Sequence, residues 1–147
     1  MSVDDNLIKY FTKHPKELYK INPRTFEELV ASLLKDMGYD VELTSRGPDG
    51  GVDILATQKT GIGELLLLVD CKRYNPEKNI GVGMVRSLYG IGQQRRASMS
   101  MLVTTSFFTK PARQFQEKVP YQLSLKDYND LIIWLQNYYR NKKNSIV

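Results

Sequence analysis

The amino-acid sequence predicts an α/β fold, a sandwich in which a central mixed β-sheet is flanked by helices. Three observations carry that expectation. Apolar residues recur at helical spacing as far as Met37, and from Tyr39 the period shifts to strand-like alternation. The longest unbroken apolar run, Leu65 to Val69, suits a central strand buried on both faces and is far too short to cross a membrane. The inferred order of elements is helix, three strands in succession, helix, strand, helix, strand, helix, which is the order of a mixed sheet with covered faces.

The opening helix is expected over Asp5 to Lys13, with Leu7, Ile8 and Phe11 on one face. A turn at His14-Pro15 leads to a short helical stretch through Leu18, and Asn22-Pro23 marks a break. Pro23 and Thr25 signal the next helix, read as Phe26 to Met37 and closed by Gly38. Asp40 to Thr44 reads as the first strand, and the glycine-rich turn Arg46-Gly47-Pro48-Asp49-Gly50-Gly51 follows it. Val52 to Thr57 and Glu64 to Lys72 form a hairpin around Thr60-Gly61-Ile62-Gly63. Beyond the loop Asn75 to Asn79 come a helix over Gly83 to Arg96, a strand over Ser98 to Thr104 and a helix over Thr109 to Lys118. A short strand, Gln122 to Leu125, precedes a final helix capped by Asp127, and Arg140 to Asn144 reads as a frayed, solvated tail. The chain divides into an N-terminal helical extension (1–20), a core (21–126) and a C-terminal helix with a basic tail (127–147).

At 147 residues, 41% hydrophobic and 25% charged, the chain fits one globular domain with its own core. Its acidic start, Met1 to Asp5, lacks the layout of a secretory signal, so a cytoplasmic location without membrane attachment is expected. A lone cysteine, Cys71, excludes an internal disulfide and a cysteine-based zinc site. The single histidine, His14, precedes Pro15 and reads as a surface or capping residue, which leaves even less room for a His-rich metal site or a Ser-His-Asp triad. Any metal must then be held mainly by oxygen, which points to Mg2+, with Mn2+ as the alternative. The net charge of +5 suits a polyanionic partner.

Chemistry concentrates on the second and third strands. Asp53 lies among Val52, Ile54 and Leu55, and Asp70 and Lys72 end a run of leucines and a valine. Alternation in a strand sends Asp70 and Lys72 to one face and Cys71 to the other. Charged groups at the ends of apolar strands need a reason, because burying an unpaired charge is costly. Phosphodiester hydrolysis supplies one: two carboxylates can hold a hard divalent cation, and a lysine beside them can orient or deprotonate water, or stabilise the transition state. A bare Asp-x-Lys is equally the pattern of an edge salt bridge, with Asp53 capping the glycine turn; placement at paired strand ends favours a site.

The stretches Pro23 to Val30, Asp49 to Ile54, Asp70-Cys71-Lys72-Arg73-Tyr74, Val82 through Gly90 and Leu102 to Thr109, in that order and spacing, resemble the Mrr-type restriction endonuclease domain over roughly residues 20–126. The resemblance implies a restriction-endonuclease-like fold of the PD-(D/E)-x-K superfamily, a divalent metal and DNA as substrate. It also implies that Asp53 is the first metal-binding carboxylate and Lys72 the catalytic lysine. Asp70 stands where Glu or Gln is usual, one methylene shorter, and the backbone carbonyl of Cys71 is a further metal donor. The helix glutamate of the family corresponds to Glu27. With about 3.6 residues per turn, Glu27 falls at the boundary of the apolar face and Glu28 points away from it.

Arg46, Arg73, Lys110 and Arg86 are candidates for DNA contact, with Arg95 and Arg96 behind them, and for each a solvated surface charge is the plain alternative. Gln93 and Gln94 are weaker candidates. Thr104-Thr105-Ser106 reads as a loop that touches a DNA backbone or as simple helix capping. Gly61-Ile62-Gly63 lacks the lysine and serine of a nucleotide-binding loop. The function expected is a metal-dependent DNA endonuclease acting in restriction or DNA processing. Its rivals are a structure-selective nuclease such as a Holliday-junction resolvase and a catalytically inactive DNA-binding subunit. A homodimer would place one site on each strand of a duplex, and a partner protein would supply targeting.

Overall fold

A computed structural model describes residues 5–44 and 52–145. The glycine-rich turn read at Arg46 to Gly51 lies outside the described residues. In chain order the elements are α1 (Asp5–Lys13), a 3-10 helix (Pro15–Lys20), α2 (Pro23–Asp36), β1 (Asp40–Leu43), β2 (Ile54–Thr60) and β3 (Gly63–Lys72). Then follow α3 (Val82–Gln94), β4 (Met99–Thr104), α4 (Lys110–Lys118), β5 (Leu123–Lys126) and α5 (Tyr128–Ser145). The described residues form a five-stranded sheet in the order β1-β2-β3-β4-β5. Its β1–β2 and β2–β3 pairs are antiparallel, and its β3–β4 and β4–β5 pairs are parallel. The sheet is mixed, as expected, and β3 is its middle strand.

Two apolar cores cover the two faces. Ile8, Phe11, Phe26, Leu29, Leu33, Leu131 and Leu135, from α1, α2 and α5, pack on Ile54, Ala56, Leu67, Val69, Met101 and Val103. On the other face Val85 and Leu88 of α3 and Ala112 of α4 pack with Leu102, Leu123 and Leu125. Strand alternation therefore assigns every position of β3 to one layer or the other.

Element ends depart from the sequence reading where a side chain decides them. The helix expected from Phe26 begins at Pro23, because the Asn22 side chain accepts from the backbone N–H groups of Arg24 and Thr25 and Pro23 needs no donor at the first helical position. Gly38, at φ 104°, ends the helix, with Tyr39 N–H donating to the Leu34 carbonyl at 3.1 Å. The β2–β3 ladder runs to the Thr60–Gly63 pair, so β2 is longer than its apolar residues suggested. The tail read as frayed remains helical through Ser145. Asp127 and Asp130 cap α5 reciprocally, each side chain accepting from the other's backbone N–H. Lys142 then covers the Tyr138 ring at 5.3 Å, and basic residues suit a helix C-terminus.

Candidate active site

Asp53 sits where β2 leaves its ladder. Its N–H donates to the Val69 carbonyl at 2.8 Å and its carbonyl accepts from Thr44 N–H at 2.9 Å. The next partner across the gap is a side chain: Cys71 N–H donates to Asp53 Oδ2 at 2.7 Å. A backbone bond of β3 thus fixes the carboxylate. The N–H and C=O of an extended residue face the same neighbour, so the Cys71 carbonyl turns toward Asp53 as well.

Cys71 packs on the core of α1, α2 and α5, and alternation turns Asp70 and Lys72 to the α3 side. Asp70 is 6% exposed, while the Lys72 side chain remains 30% exposed with Nζ 3.6 Å from Asp70 Oδ1. Burial pushes the Asp70 carboxyl up to about 7; the Asp53 carboxylate beside it adds to the rise and Lys72 opposes it. Two acidic groups share this corner with one ammonium.

Glu27 is 4% exposed on α2, and Arg24 Nη1 lies 2.9 Å from its Oε1. The same Arg24 nitrogen donates to the Thr44 carbonyl at 3.3 Å, which ties the start of α2 to the end of β1 beside Asp53. Glu28 is half-buried. The Cys71 thiol lies within the field of Asp53, Asp70, Glu27 and Lys72. Burial first, then the three carboxylates, hold it well above the ordinary thiol range against the pull of Lys72. It stays protonated and serves as packing rather than as a nucleophile.

The basic candidates disperse. Arg46 lies outside the described residues. Arg73 is drawn inward, its Nη1 donating to the Tyr19 carbonyl at 2.6 Å. Arg86 is exposed on α3 and stacks over the Phe115 ring at 5.5 Å; Lys110 is exposed at the start of α4. Gln93, Gln94, Arg95 and Arg96 are exposed at the far end of α3, just before Ser98 turns the chain into β4 at the level of Leu66. That is the end of the sheet remote from Lys72, so the weaker reading of the glutamines as site residues is withdrawn. The reading of Thr104-Thr105-Ser106 as a loop touching DNA also fails. All three are buried, and their hydroxyls bond to backbone carbonyls of the chain itself.

Sequence reasoning missed Arg24 and Thr44, which frame Glu27 and Asp53. The signal for Arg24 was its i,i+3 spacing to Glu27 on a helix. For Thr44 there was none, because its partners Val52 and Asp53 lie eight and nine positions further along the chain.

Among the described residues, no three His, Cys, Asp or Glu side chains converge closely enough to hold a metal by themselves. The corner instead offers the Asp53 and Asp70 carboxylates together with the Cys71 carbonyl. An all-oxygen set of this kind, charged and short of positive partners, fits a hard cation that completes its shell with water and substrate oxygens. The residues present therefore fit the implied metal.

Residues 18–135 match the Mrr catalytic-domain family, described as restriction endonuclease. A curated relative, the type IV methyl-directed restriction enzyme EcoKMrr of Escherichia coli strain K12, is 28% identical over 110 residues, 71% of this chain and 35% of that protein. An uncharacterised protein of Sinorhizobium fredii, y4cE, is 25% identical over 95% of this chain and 36% of its own. The chain thus spans about a third of the length of these relatives. Among solved structures, the DNA modification-dependent restriction endonuclease AspBHI superposes with a TM-score of 0.70 at 22% identity, over 92% of this chain and 36% of that one. MspJI restriction endonuclease, solved with a 27-mer oligonucleotide, superposes at 0.67 and 17% identity over 91% and 32%. These two likenesses establish the sandwich fold.

Proposed function

The chain belongs to the Mrr-type restriction endonuclease family, and on that premise we propose that it hydrolyses DNA phosphodiester bonds in a divalent-metal-dependent reaction. The observation that carries this reading is the buried Asp70 carboxyl, set beside Asp53 and 3.6 Å from the Lys72 ammonium at the end of a central strand. Asp53, Asp70 and the Cys71 carbonyl would hold Mg2+ or Mn2+. When bound, the cation supplies Lewis-acid stabilisation of charge developing on the phosphate. Lys72, partly exposed and with its ammonium 3.6 Å from Asp70 Oδ1, orients the attacking water or shields the pentavalent phosphate. Glu27 is held by Arg24 near the same corner and sets the local negative field from the α2 side.

Binding of DNA through its phosphates accords with the net charge of +5 and with exposed Lys110 and Arg86. Because the relatives are about three times longer, targeting is assigned to a partner protein or to further chain. Two strands of opposite polarity are most simply cut by two sites related by a twofold axis, so duplex cleavage is assigned to a homodimer. We assign residues 21–126 to the nuclease core, with helical segments on either side, and the whole to the cytoplasm. No helix among the described residues is long and apolar enough to cross a membrane.

Incubation of the purified protein with supercoiled plasmid, in Mg2+, in Mn2+ and in EDTA, tests the reading. Nicking that requires the cation is expected. Intact plasmid under all three conditions would refute it, and nicking undiminished in EDTA would refute the metal dependence.

A further inference from the structure

Thr104, Thr105 and Ser106 are consecutive hydroxyl residues with no measurable exposure at the end of β4. A buried hydroxyl is costly unless bonded, and an apolar residue would fill the same space without that cost. Each hydroxyl is bonded, and each acceptor is a backbone carbonyl of the chain that runs on from Lys72. Thr104 Oγ1 donates to the Lys72 carbonyl at 2.7 Å, and Thr105 N–H donates to the same oxygen at 3.2 Å. Thr105 Oγ1 donates to the Tyr74 carbonyl at 2.6 Å. Ser106 Oγ donates to the Lys78 carbonyl at 2.8 Å and lies 3.2 Å from that of Pro76.

The parallel β3–β4 ladder ends at the Lys72–Thr104 pair. Beyond it, side-chain hydroxyls take over from backbone donors and keep the following segment in place as if it were still paired. The bonds are also linked. Ser106 N–H donates to Thr104 Oγ1 at 3.0 Å while that oxygen donates onward to Lys72, so each strengthens the other. On the opposite flank Asp53 holds Cys71 N–H and the Tyr19 carbonyl holds Arg73. The backbone around Lys72 is therefore restrained at Cys71, Lys72 and Tyr74, and the Arg73 side chain between them is held as well.

We propose that Thr104, Thr105 and Ser106 are positioning residues: their buried hydroxyls clamp the backbone on and after Lys72 and so hold its ammonium over the Asp53–Asp70 pair. The inference rests on the nuclease reading above. It goes beyond that reading by assigning a catalytic consequence to side chains that touch neither metal nor DNA. A shift of about 1 Å in a reacting group can cost on the order of 100-fold in rate, so a loosened clamp should reduce turnover without reducing affinity.

The test uses Thr104→Val and Thr105→Val, which keep volume and remove the donor, with Thr104→Ser and Thr105→Ser as conservative controls. Single-turnover plasmid cleavage in saturating Mg2+ is read beside DNA affinity in EDTA, thermal melting, and amide hydrogen exchange of residues 73–79 in metal-free protein. The valine variants should exchange faster over 73–79 and cleave about 10- to 100-fold more slowly. Their DNA affinity should stay within twofold of wild type, and the serine variants should recover most of the rate. Cleavage within threefold of wild type in both valine variants would overturn the proposal. So would a rate loss matched by an equal loss of affinity, or one that serine fails to rescue. If the wild type cleaves nothing, the nuclease reading fails by itself, and the exchange arm decides the clamp: unchanged exchange over 73–79 overturns it. If Thr104→Val does not fold, Thr105→Val and Ser106→Ala carry the same comparison.

Discussion

The two ends of β3 are built on opposite terms. At the hairpin end Leu65 is 36% exposed, Ile62 at the tip is 95% exposed, and a groove of about 480 Å3 opens among Met37, Leu65, Tyr121 and Trp134. At the other end Asp70 is buried with a lysine and a second carboxylate, and the hydroxyls of Thr104, Thr105 and Ser106 are tied to backbone carbonyls. One strand thus leaves apolar surface in water at one end and takes charge out of water at the other. Both arrangements run against the usual burial preferences, and hydroxyls bond to backbone at both ends, but only at the charged end are those hydroxyls buried. Stability alone does not ask for buried charge and buried hydroxyls together, and on the function proposed above the charged end is where folding free energy is given up for chemistry.

The largest effect that would sharpen this contrast is at Asp53. Asp53→Asn should reduce metal-dependent cleavage by roughly three orders of magnitude while DNA affinity in EDTA stays within a few-fold, because the lost charge acts on the transition state. A variant that cleaves at the wild-type rate would break the assignment. Next comes the choice between neighbouring glutamates. Glu27→Ala removes a group 4% exposed and paired with Arg24, and should lower cleavage about 10- to 100-fold. Glu28→Ala should change it less than threefold; equal losses would mean that α2 is placed wrongly against the site.

Asp70 predicts a pH dependence with a definite sign. Its carboxyl is raised from 3.8 to about 7 in the folded chain, so between those values the folded state holds the proton that the unfolded state has released. The resulting stabilisation is full below about pH 4 and is lost as pH rises through about 7. In metal-free protein stability should therefore fall as pH rises over that window, and Asp70→Asn should remove the slope. Melting curves between those limits check it; a slope in the variant equal to wild type would contradict the burial of this charge.

A smaller effect is expected from packing remote from the site. A Cβ on Gly92 of α3 would lie 2.0 Å from Ser100 Oγ on β4. Gly92→Ala should therefore cost about 1–3 kcal/mol in denaturant unfolding, and adding Ser100→Ala should recover most of it. Cleavage at ambient temperature should be unaffected. Smallest of all, Ile62→Ser at the hairpin tip should change stability by less than about 0.5 kcal/mol.

The same contrast explains what could be read from the chain alone. α1 was legible to its ends, because Leu7, Ile8 and Phe11 share a face and Pro15 stops the run. Asp53, Asp70 and Lys72 were legible as neighbours because alternation and a short hairpin are local rules: Asp53 bonds to the backbone of Val69 and Cys71, and Lys72 Nζ lies 3.6 Å from Asp70. The start of α2 was misplaced because Asn22 and Thr25 both make acceptable caps, and only the folded chain shows which one is used. The burial of Thr104 to Ser106 was illegible for a stronger reason. Their partners lie some thirty residues earlier, at 28 to 32 positions' separation, and hydroxyls before a helix look the same whether they face solvent or a loop. Arg73 is similar: its acceptor, Tyr19, is 54 residues away.

The central claim is that the charged end of β3 cleaves DNA through Lys72, and single-turnover plasmid cleavage by wild type and Lys72→Ala in saturating Mg2+ tests it most directly. With DNA fully bound in both, the account predicts cation-dependent nicking by wild type and a loss of roughly three orders of magnitude or more in the variant, whose melting temperature and DNA affinity remain close to wild type. Nicking by Lys72→Ala at the wild-type rate, from protein free of contaminating nuclease, would contradict it.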